Sequence, residues 1–346
     1  MRPTTRDIAK TAGVSLATVD RVLNGRPRVS RSAVDAVNKA IDKLGFVRNI
    51  SAANLAKSKV YRFQFLLPKA GDQFLETVIA HIEEARAAFR MEHIEISCWR
   101  VIENDPHQIS RLLSTINSEK VDGIALMAPE SPQVRDATTR LRERGVQVVL
   151  FVSGQPGVTD LDFVGLDNSA AGATAGRLMG RFCAGRNGEI LVITETMKAR
   201  DSLERRHGFD LVVTRDFPNL KTMPSIETYG DAERTKAVIR GAYANHPNII
   251  GAYILNSEAR LPLEAIASTS HPQPQVLIAH ERTSFSEELL VSGHLDAVIA
   301  QNSGHLVRSA IRVLRARCDN RAPIASQEEI RIEILLRENL GLPDRT

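Results

Sequence analysis

The chain has 346 residues, too many for one small binding head and enough for two or three domains. Hydrophobic residues make up 43% and charged residues 25%, an ordinary globular balance that excludes a disordered or membrane-embedded chain. The net charge of +4 hides an asymmetry: residues 1–60 carry twelve Lys or Arg against four Asp, and the remainder carries 33 bases against 37 acids. A basic head on a mildly acidic body points to a polyanionic partner for the head. Cys98, Cys183 and Cys318 are few, odd in number and far apart, with neither metal-ligand spacing nor a disulfide framework. The start, MRPTTRDIAK, has no apolar signal region, and no run approaches the ~18 apolar residues of a membrane span. These features predict a soluble, cytoplasmic protein with no membrane partner, no metal and no cofactor.

In chain order, Thr4 and Asp7 form a Thr-x-x-Asp start to a first helix, with Ile8, Ala9 and Ala12 as its apolar stripe. Gly13 supplies the turn. Ser15 then caps a second helix in which Val19, Val22 and Leu23 share a face. At about 100° per residue, Leu16, Ala17, Asp20 and Arg21 fall on the other side within an arc of about 140°. This is the spacing of a helix-turn-helix, whose second helix is read by DNA. A third helix starts at Val29–Ser30, carries Val34, Val37, Ile41 and Leu44, and stops at Gly45.

Residues 46–60 are short, basic and rich in small side chains. They read as a linker, or as a brief helix capped by Asn49 whose Leu55 could wedge into a minor groove. From Val60 onward short apolar strands alternate with helices. The strands are expected at Tyr61–Leu67, Ile94–Trp99, Gly123–Met127, Val146–Val152, Phe163–Leu166 and Glu189–Thr194. The series continues with Ile226–Tyr229, Ile249–Leu255, Val276–His280, Ala297–Ala300 and Ile330–Leu336. Helices are expected between most of them, among them Glu76–Arg90, Ile109–Ser118, Ala170–Cys183, Leu203–Phe217, Glu233–Asn245 and His305–Arg317. The pattern predicts an α/β body of two lobes built on parallel sheets, with a ligand cleft at the C-terminal ends of the strands.

The segment TTRDIAKTAGVSLATVDRVLNG, then VS, a helix ending LGF, and RNISAANLA resembles the LacI (lactose-repressor) family of bacterial transcription regulators. The body matches in order through VDGIALMAP, VGLDNSAAG, SLERRHGF, AYILNSEA, VLIAHE and VIAQN. The resemblance implies an all-α helix-turn-helix domain over residues 1–47, a hinge helix or linker over 48–59, and an effector-binding body over 60–346. That body is expected to resemble the periplasmic binding proteins, with one lobe at about 60–160 and 294–320 and the other at about 161–293 and 321–346. It further implies a homodimer, in some members a tetramer, on double-stranded operator DNA, and a sugar, polyol or sugar phosphate as effector. Lys198, Arg200, Arg205 and Arg206 crowd one region, which brings phosphorylated ligands into consideration; a solvated charge run also explains them.

Carried over residue by residue, Leu16, Ala17 and Arg21 stand where the family reads bases, Thr18 and Asn24 where it anchors to backbone, and Asn49 and Leu55 where its hinge is capped and intercalates. Two departures stand out. Asp20 replaces the usual Ser, and Arg48 replaces the usual Pro. For the effector, the resemblance implies Asp72, Phe74 and Ser153 from one lobe and Asp167, Arg205, Asn256, Glu281 and Gln301 around the cleft. Plain structural alternatives stand beside these: Asp167 as a helix cap, Phe74 as core, Arg205 as an exposed helical cation, and Asn256 as a turn cap. Against an enzyme stand the absence of a P-loop, His-Glu-x-x-His, Gly-x-Ser-x-Gly or Cys-x-x-Cys motif, and the sparseness of Gly172–Gly176 as a dinucleotide loop. His280–Glu281 is the remaining acid/base candidate, and no catalytic residue is expected.

Overall fold

The computed structural model describes residues 3–23, 27, 29–46, 59–69, 71–102, 105–155, 162–269 and 275–341. Asn24, Arg48, Asn49 and Leu55, and with them all of the expected hinge over 48–59 except Lys59, lie outside the described residues. The chain divides into two compact units, Met1–Lys59 and Val60–Thr346.

The first unit is three helices, α1 (Thr5–Ala12), α2 (Leu16–Leu23) and α3 (Arg31–Leu44). The α1 start closes as a capping box: the Thr4 amide and hydroxyl donate to the Asp7 carboxylate at 2.8 and 2.7 Å. Those bonds hold the Asp7 carboxyl below its ordinary range. Gly13 ends α1 at φ 67°, and a Cβ there would meet nothing within 4 Å. The glycine therefore serves the left-handed backbone, not a lack of space. The Thr18 amide donates to the Ser15 hydroxyl at 3.1 Å, and Ser30 caps α3 through the Ala33 amide. Ile8, Val19, Val37 and Ala40 are buried at the centre, ringed by partly buried Ala12, Val22, Leu23, Ile41 and Leu44. Helices this short persist because that shared face is buried, not through propensity.

The second unit contains two sheets. The first has strand order β2-β1-β3-β4-β5, formed by β1 (Tyr61–Pro68), β2 (Ile94–Ile102), β3 (Gly123–Leu126), β4 (Gln147–Phe151) and β5 (Asp162–Val164), all parallel. Along β1, Phe63, Phe65 and Leu67 face α4 (Gln73–Phe89) and α12 (Ser303–Cys318), while Leu66 faces α5 (Pro106–Thr115) and α6 (Pro132–Glu143). The period of two thus serves two apolar layers.

The second sheet runs β12-β11-β10-β9-β6-β7, with β8 also on β6. Its strands are β6 (Gly188–Thr194), β7 (Leu220–Thr222), β8 (Ile226–Glu227), β9 (Ile249–Ile254), β10 (Val276–His280), β11 (Ala297–Ala300) and β12 (Glu333–Leu335). One face is covered by α7 (Asn168–Phe182) and α8 (Arg200–Asp216), and the other by α9 (Ala232–Asn245), α10 (Arg260–Ala267) and α11 (Ser284–Ser292). Covering on both faces explains why all six residues of β9 and all four of β11 are buried and read as unbroken apolar runs.

Several expectations change. β12 pairs antiparallel with β11, so the second sheet is not wholly parallel. It reaches the sheet only after α12, which packs with the first lobe. β5 belongs to the first sheet, so the chain leaves that lobe after Val164 and not at about 160; β11 belongs to the second sheet, so the return follows Ala300 and not about 294. β7 was not expected at all. Ile226–Tyr229 shortens to two residues because Tyr229 takes a left-handed φ of 53° beside Gly230. No helix among the described residues is long and apolar enough to cross a membrane.

Candidate functional site

On α2, Val19 is buried while Leu16, Ala17, Asp20 and Arg21 are exposed and Thr18 is half-buried. Leu16 is 46% exposed, an unusual place for a leucine in a domain with so small a core. The polar and apolar reading positions thus share one solvent face, held by the Ser15 cap at one end and Val19 beneath. An Arg there can donate bidentately to guanine, and Leu16 and Ala17 can meet a thymine methyl.

The second unit holds a cavity of about 740 Å³ between its two lobes. Asp72, Phe74 and Ser153 line it from the first lobe, whereas Asp167, Arg205, Asn256, Glu281 and Gln301 are not among its lining residues. Asp72 also caps α4 through the Leu75 amide at 2.9 Å and accepts from Ser257 of the second lobe. Phe74 is only 4% exposed and packs mainly in the first-lobe core. Across the mouth, Arg200 reaches Glu130 at 3.4 Å and Glu204 at 2.6 Å.

Arg205, Glu281 and Gln301 meet in one buried cluster. Arg205 donates from Nε to Asn168 Oδ1 at 2.8 Å and from Nη1 to the Leu255 carbonyl at 2.6 Å, and its Nη2 lies 3.6 Å from Glu281 Oε1. Gln301 Nε2 donates to the same Glu281 oxygen at 2.9 Å. Arg205 is 4% exposed, which removes the exposed-cation alternative. Asn168 joins this cluster to the cavity, since it both accepts from Arg205 and lines the cleft. Its neighbour Asp167 is exposed, caps α7 through the Ala170 amide at 2.9 Å, and lines an adjoining cavity that shares Phe163, Asn168 and Glu204 with the first. The capping alternative therefore describes Asp167, and the cleft position passes to Asn168. Asn256 makes a turn, donating to the Glu258 carbonyl at 2.6 Å.

Reciprocal close approach of α7 and α8 positions Arg205. A Cβ on Gly172 would sit 1.9 Å from the Arg205 carbonyl oxygen, and one on Gly208 would sit 2.0 Å from that of Ser169. The glycines that are too sparse for a dinucleotide loop instead let two helix backbones touch.

Burial dominates the electrostatics. It pushes the Glu281 carboxyl up to about 7, with Arg205 and Gln301 pulling it down and Asp72 and Asp201 pushing it further. Burial, then Arg205, holds His280 well below its ordinary value, so it is a neutral partner to the Tyr253 hydroxyl at 2.6 Å. Of the seven buried side-chain polar atoms without a partner among the described residues, four cluster here: Asn256 Oδ1, His280 Nδ1, Glu281 Oε2 and Gln301 Oε1. Each such atom costs about 1–3 kcal/mol unless something fills its bond. Glu281 also takes φ 64° just after β10, and Val152 takes φ 63° just after β4. Left-handed backbone at a β-branched residue is strained, and strain of this kind gathers at ligand sites.

Asn168, which the resemblance places beside the cleft without an effector role, lines it, as do three residues that the sequence does not single out, Glu195, Ser257 and Glu258, and also Asp201. A signal existed for three of them: Glu195 follows β6, and Ser257 and Glu258 follow β9, at the C-terminal strand ends where such folds bind ligands.

Residues 63–322 match the family described as periplasmic binding protein domain, and residues 4–49 match bacterial regulatory proteins, lacI family. The chain is 30% identical over 169 residues to the maltose regulon regulatory protein MalI of Escherichia coli, covering 49% of this chain and 47% of that protein. It is 28% identical over 158 residues to catabolite control protein A of Staphylococcus xylosus, 45% of this chain and 45% of that protein. The chain thus spans about half the length of the curated relatives it matches. Among solved structures, GanP, a glucose-galactose binding protein from Geobacillus stearothermophilus, superposes with a TM-score of 0.71 over 82% of this chain and 100% of that chain. At 16% identity that likeness is one of fold. The chain belongs to the periplasmic-binding-protein domain family over most of its length, and its residues 4–49 match the model of bacterial regulatory proteins, lacI family.

Proposed function

We propose that this chain is a DNA-binding transcription regulator, acting as a cytoplasmic homodimeric repressor, whose operator affinity is set by a small sugar-like effector in the cleft. The observation that carries the proposal is the pairing, in one chain, of an exposed α2 face with an interlobe cleft of about 740 Å³ lined by polar side chains of both lobes. His280 is engaged through Nε2 with Tyr253, and Glu281 through Oε1 with Arg205 and Gln301, which supports a binding role for this buried pair. Effector contacts that span both lobes would favour one lobe arrangement over another, and coupling to DNA requires only that the operator favour one of them. The units join at Lys59 and Val60, and the hinge expected over 48–59, with the proposed roles of Asn49 and Leu55, belongs to that step.

The test is selection of the full chain on a random duplex pool, followed by binding titrations at stepped salt. The basic head predicts enrichment of a pseudo-palindromic site and an affinity that falls about 10³- to 10⁵-fold between 50 and 200 mM salt if 6–10 phosphates are contacted. No enrichment, or an affinity indifferent to salt, overturns the DNA reading.

A further inference from the structure

We infer that the molecule taken by this cleft is a hydroxylated organic cation, such as an amino sugar or amino polyol. The inference rests on the reading of the cleft as an effector site and names the chemical class of its ligand.

Hydrogen-bond supply and demand in the cleft are one-sided. Of the four cations that the sequence crowds together, three are already engaged by the protein. Arg205 is held by Asn168, the Leu255 carbonyl and Glu281, and Arg200 by Glu130 and Glu204. Arg206 turns to Asp210, the Met223 carbonyl and Ser225. Lys198 alone remains, exposed at the rim. A phosphate needs several converging donors, and this cleft has little left to give one.

Acceptors are in surplus. Asp72 from the first lobe and Glu195, Asp201 and Glu258 from the second all line the cavity, and among the described residues none of the four has a Lys or Arg nitrogen within the 4 Å of an ion pair. Behind the lining, three buried acceptor oxygens have no donor among the described residues: Asn256 Oδ1, Glu281 Oε2 and Gln301 Oε1. Glu281 is 1% exposed and Gln301 4%. Glu281 does not itself line the cavity; it connects to the lining through Arg205, which donates to the cleft residue Asn168. A ligand that answers this array is rich in donors and positively charged.

A bare metal ion does not fit. No three His, Cys, Asp or Glu side chains among the described residues converge closely enough to hold one. The carboxylates are instead spread around about 740 Å³, the volume of a cleft for a small organic molecule. In the ligand-free protein the same carboxylates repel one another: Glu195 is pushed up first by burial and then by Asp72, Asp201 and Glu258, all acids. Such a cluster costs stability until a cation arrives, as expected when binding sites trade stability for function.

The test uses the full chain at pH 7 and follows melting temperature against two matched pairs, glucosamine with glucose and tris(hydroxymethyl)aminomethane with pentaerythritol, plus glucose 6-phosphate. A ligand of the native state raises the melting temperature in a saturable way. The expected result is stabilisation by the amines at concentrations about tenfold lower than by their neutral partners, and none by glucose 6-phosphate. Glu195→Gln should raise the melting temperature of the ligand-free protein while weakening the amine response about tenfold. Stabilisation by glucose or glucose 6-phosphate at equal or lower concentration overturns the cationic class and leaves the effector cleft standing. A flat response to both amines overturns the cationic class as well, and the duplex selection, which needs no ligand, decides the DNA reading separately.

Discussion

Glu281 carries an electrostatic cost that should be visible in solution. Its carboxyl rises from 4.5 to about 7 on folding, so the folded protein binds this proton more tightly than the unfolded chain does. The stabilisation is complete below 4.5 and is lost as pH rises through 7, about 3 kcal/mol in all and about 1 kcal/mol of it above pH 6.5. His280 works the other way: its neutral folded form adds stability as pH rises toward the ordinary 6.5. The two oppose each other below that pH, and Glu281 prevails above it. Denaturant melts of the ligand-free chain should therefore show stability falling from pH 6.5 to 8, and Glu281→Gln should flatten that fall; an unchanged slope in the variant would assign it to other groups. Arg205, Glu281 and Gln301 were legible one by one through the family resemblance. Their mutual bonding was not, because the partners come from residues 168, 205, 281 and 301, and no local period links four such segments. The same gap explains the exchange between Asp167 and Asn168. Adjacent polar residues at a helix start look alike in sequence, and only the turn into α7 decides which one caps and which one faces the cleft.

At the scale of elements, the contact between α7 and α8 is where packing becomes geometry of the site. Gly208→Ala would drive a Cβ against the Ser169 carbonyl and must part the helices. Overpacking of this kind costs about 2 kcal/mol, and because Arg205 lies one turn away it should also weaken ligand binding. Gly241→Ala in α9 is the matched control, since its Cβ meets nothing within 4 Å; helix propensity there predicts a gain of roughly 0.5–1 kcal/mol. Paired thermal melts with ligand titrations check both, and equal behaviour of the two variants would sink the packing argument. Strand positions were legible wherever both faces are covered, as in β9, β10 and β11, because unbroken apolar runs leave little choice. Edge strands were not. β7 is three residues with a single buried side chain, and alternation in β12 gave its faces but not its antiparallel direction. Helix starts were read two or three residues late at α4, α5, α7 and α8. The apolar periodicity begins after the polar cap, and Asp72, Asp105 and Asp167 are caps of that kind.

For the whole molecule, composition already separated a basic head from an acidic body, and the structure divides the chain at Lys59 and Val60. The lobe crossings were less legible. β5 and β11 each end one lobe just before the chain passes to the other, and a strand's hydrophobicity does not say which sheet it joins. Both proposed recognition surfaces are on one chain, so their linkage is a thermodynamic question: a cleft ligand can alter DNA affinity only by its difference in affinity between two states of the protein. The direct measurement is the operator Kd of the full chain, at fixed salt, with and without saturating amounts of whichever of glucosamine or glucose raises its melting temperature. A regulator should change its operator Kd by about tenfold, a coupling of about 1.4 kcal/mol, while its Kd for a scrambled duplex stays within about twofold. An unchanged operator Kd with the ligand demonstrably bound would contradict ligand control of DNA binding.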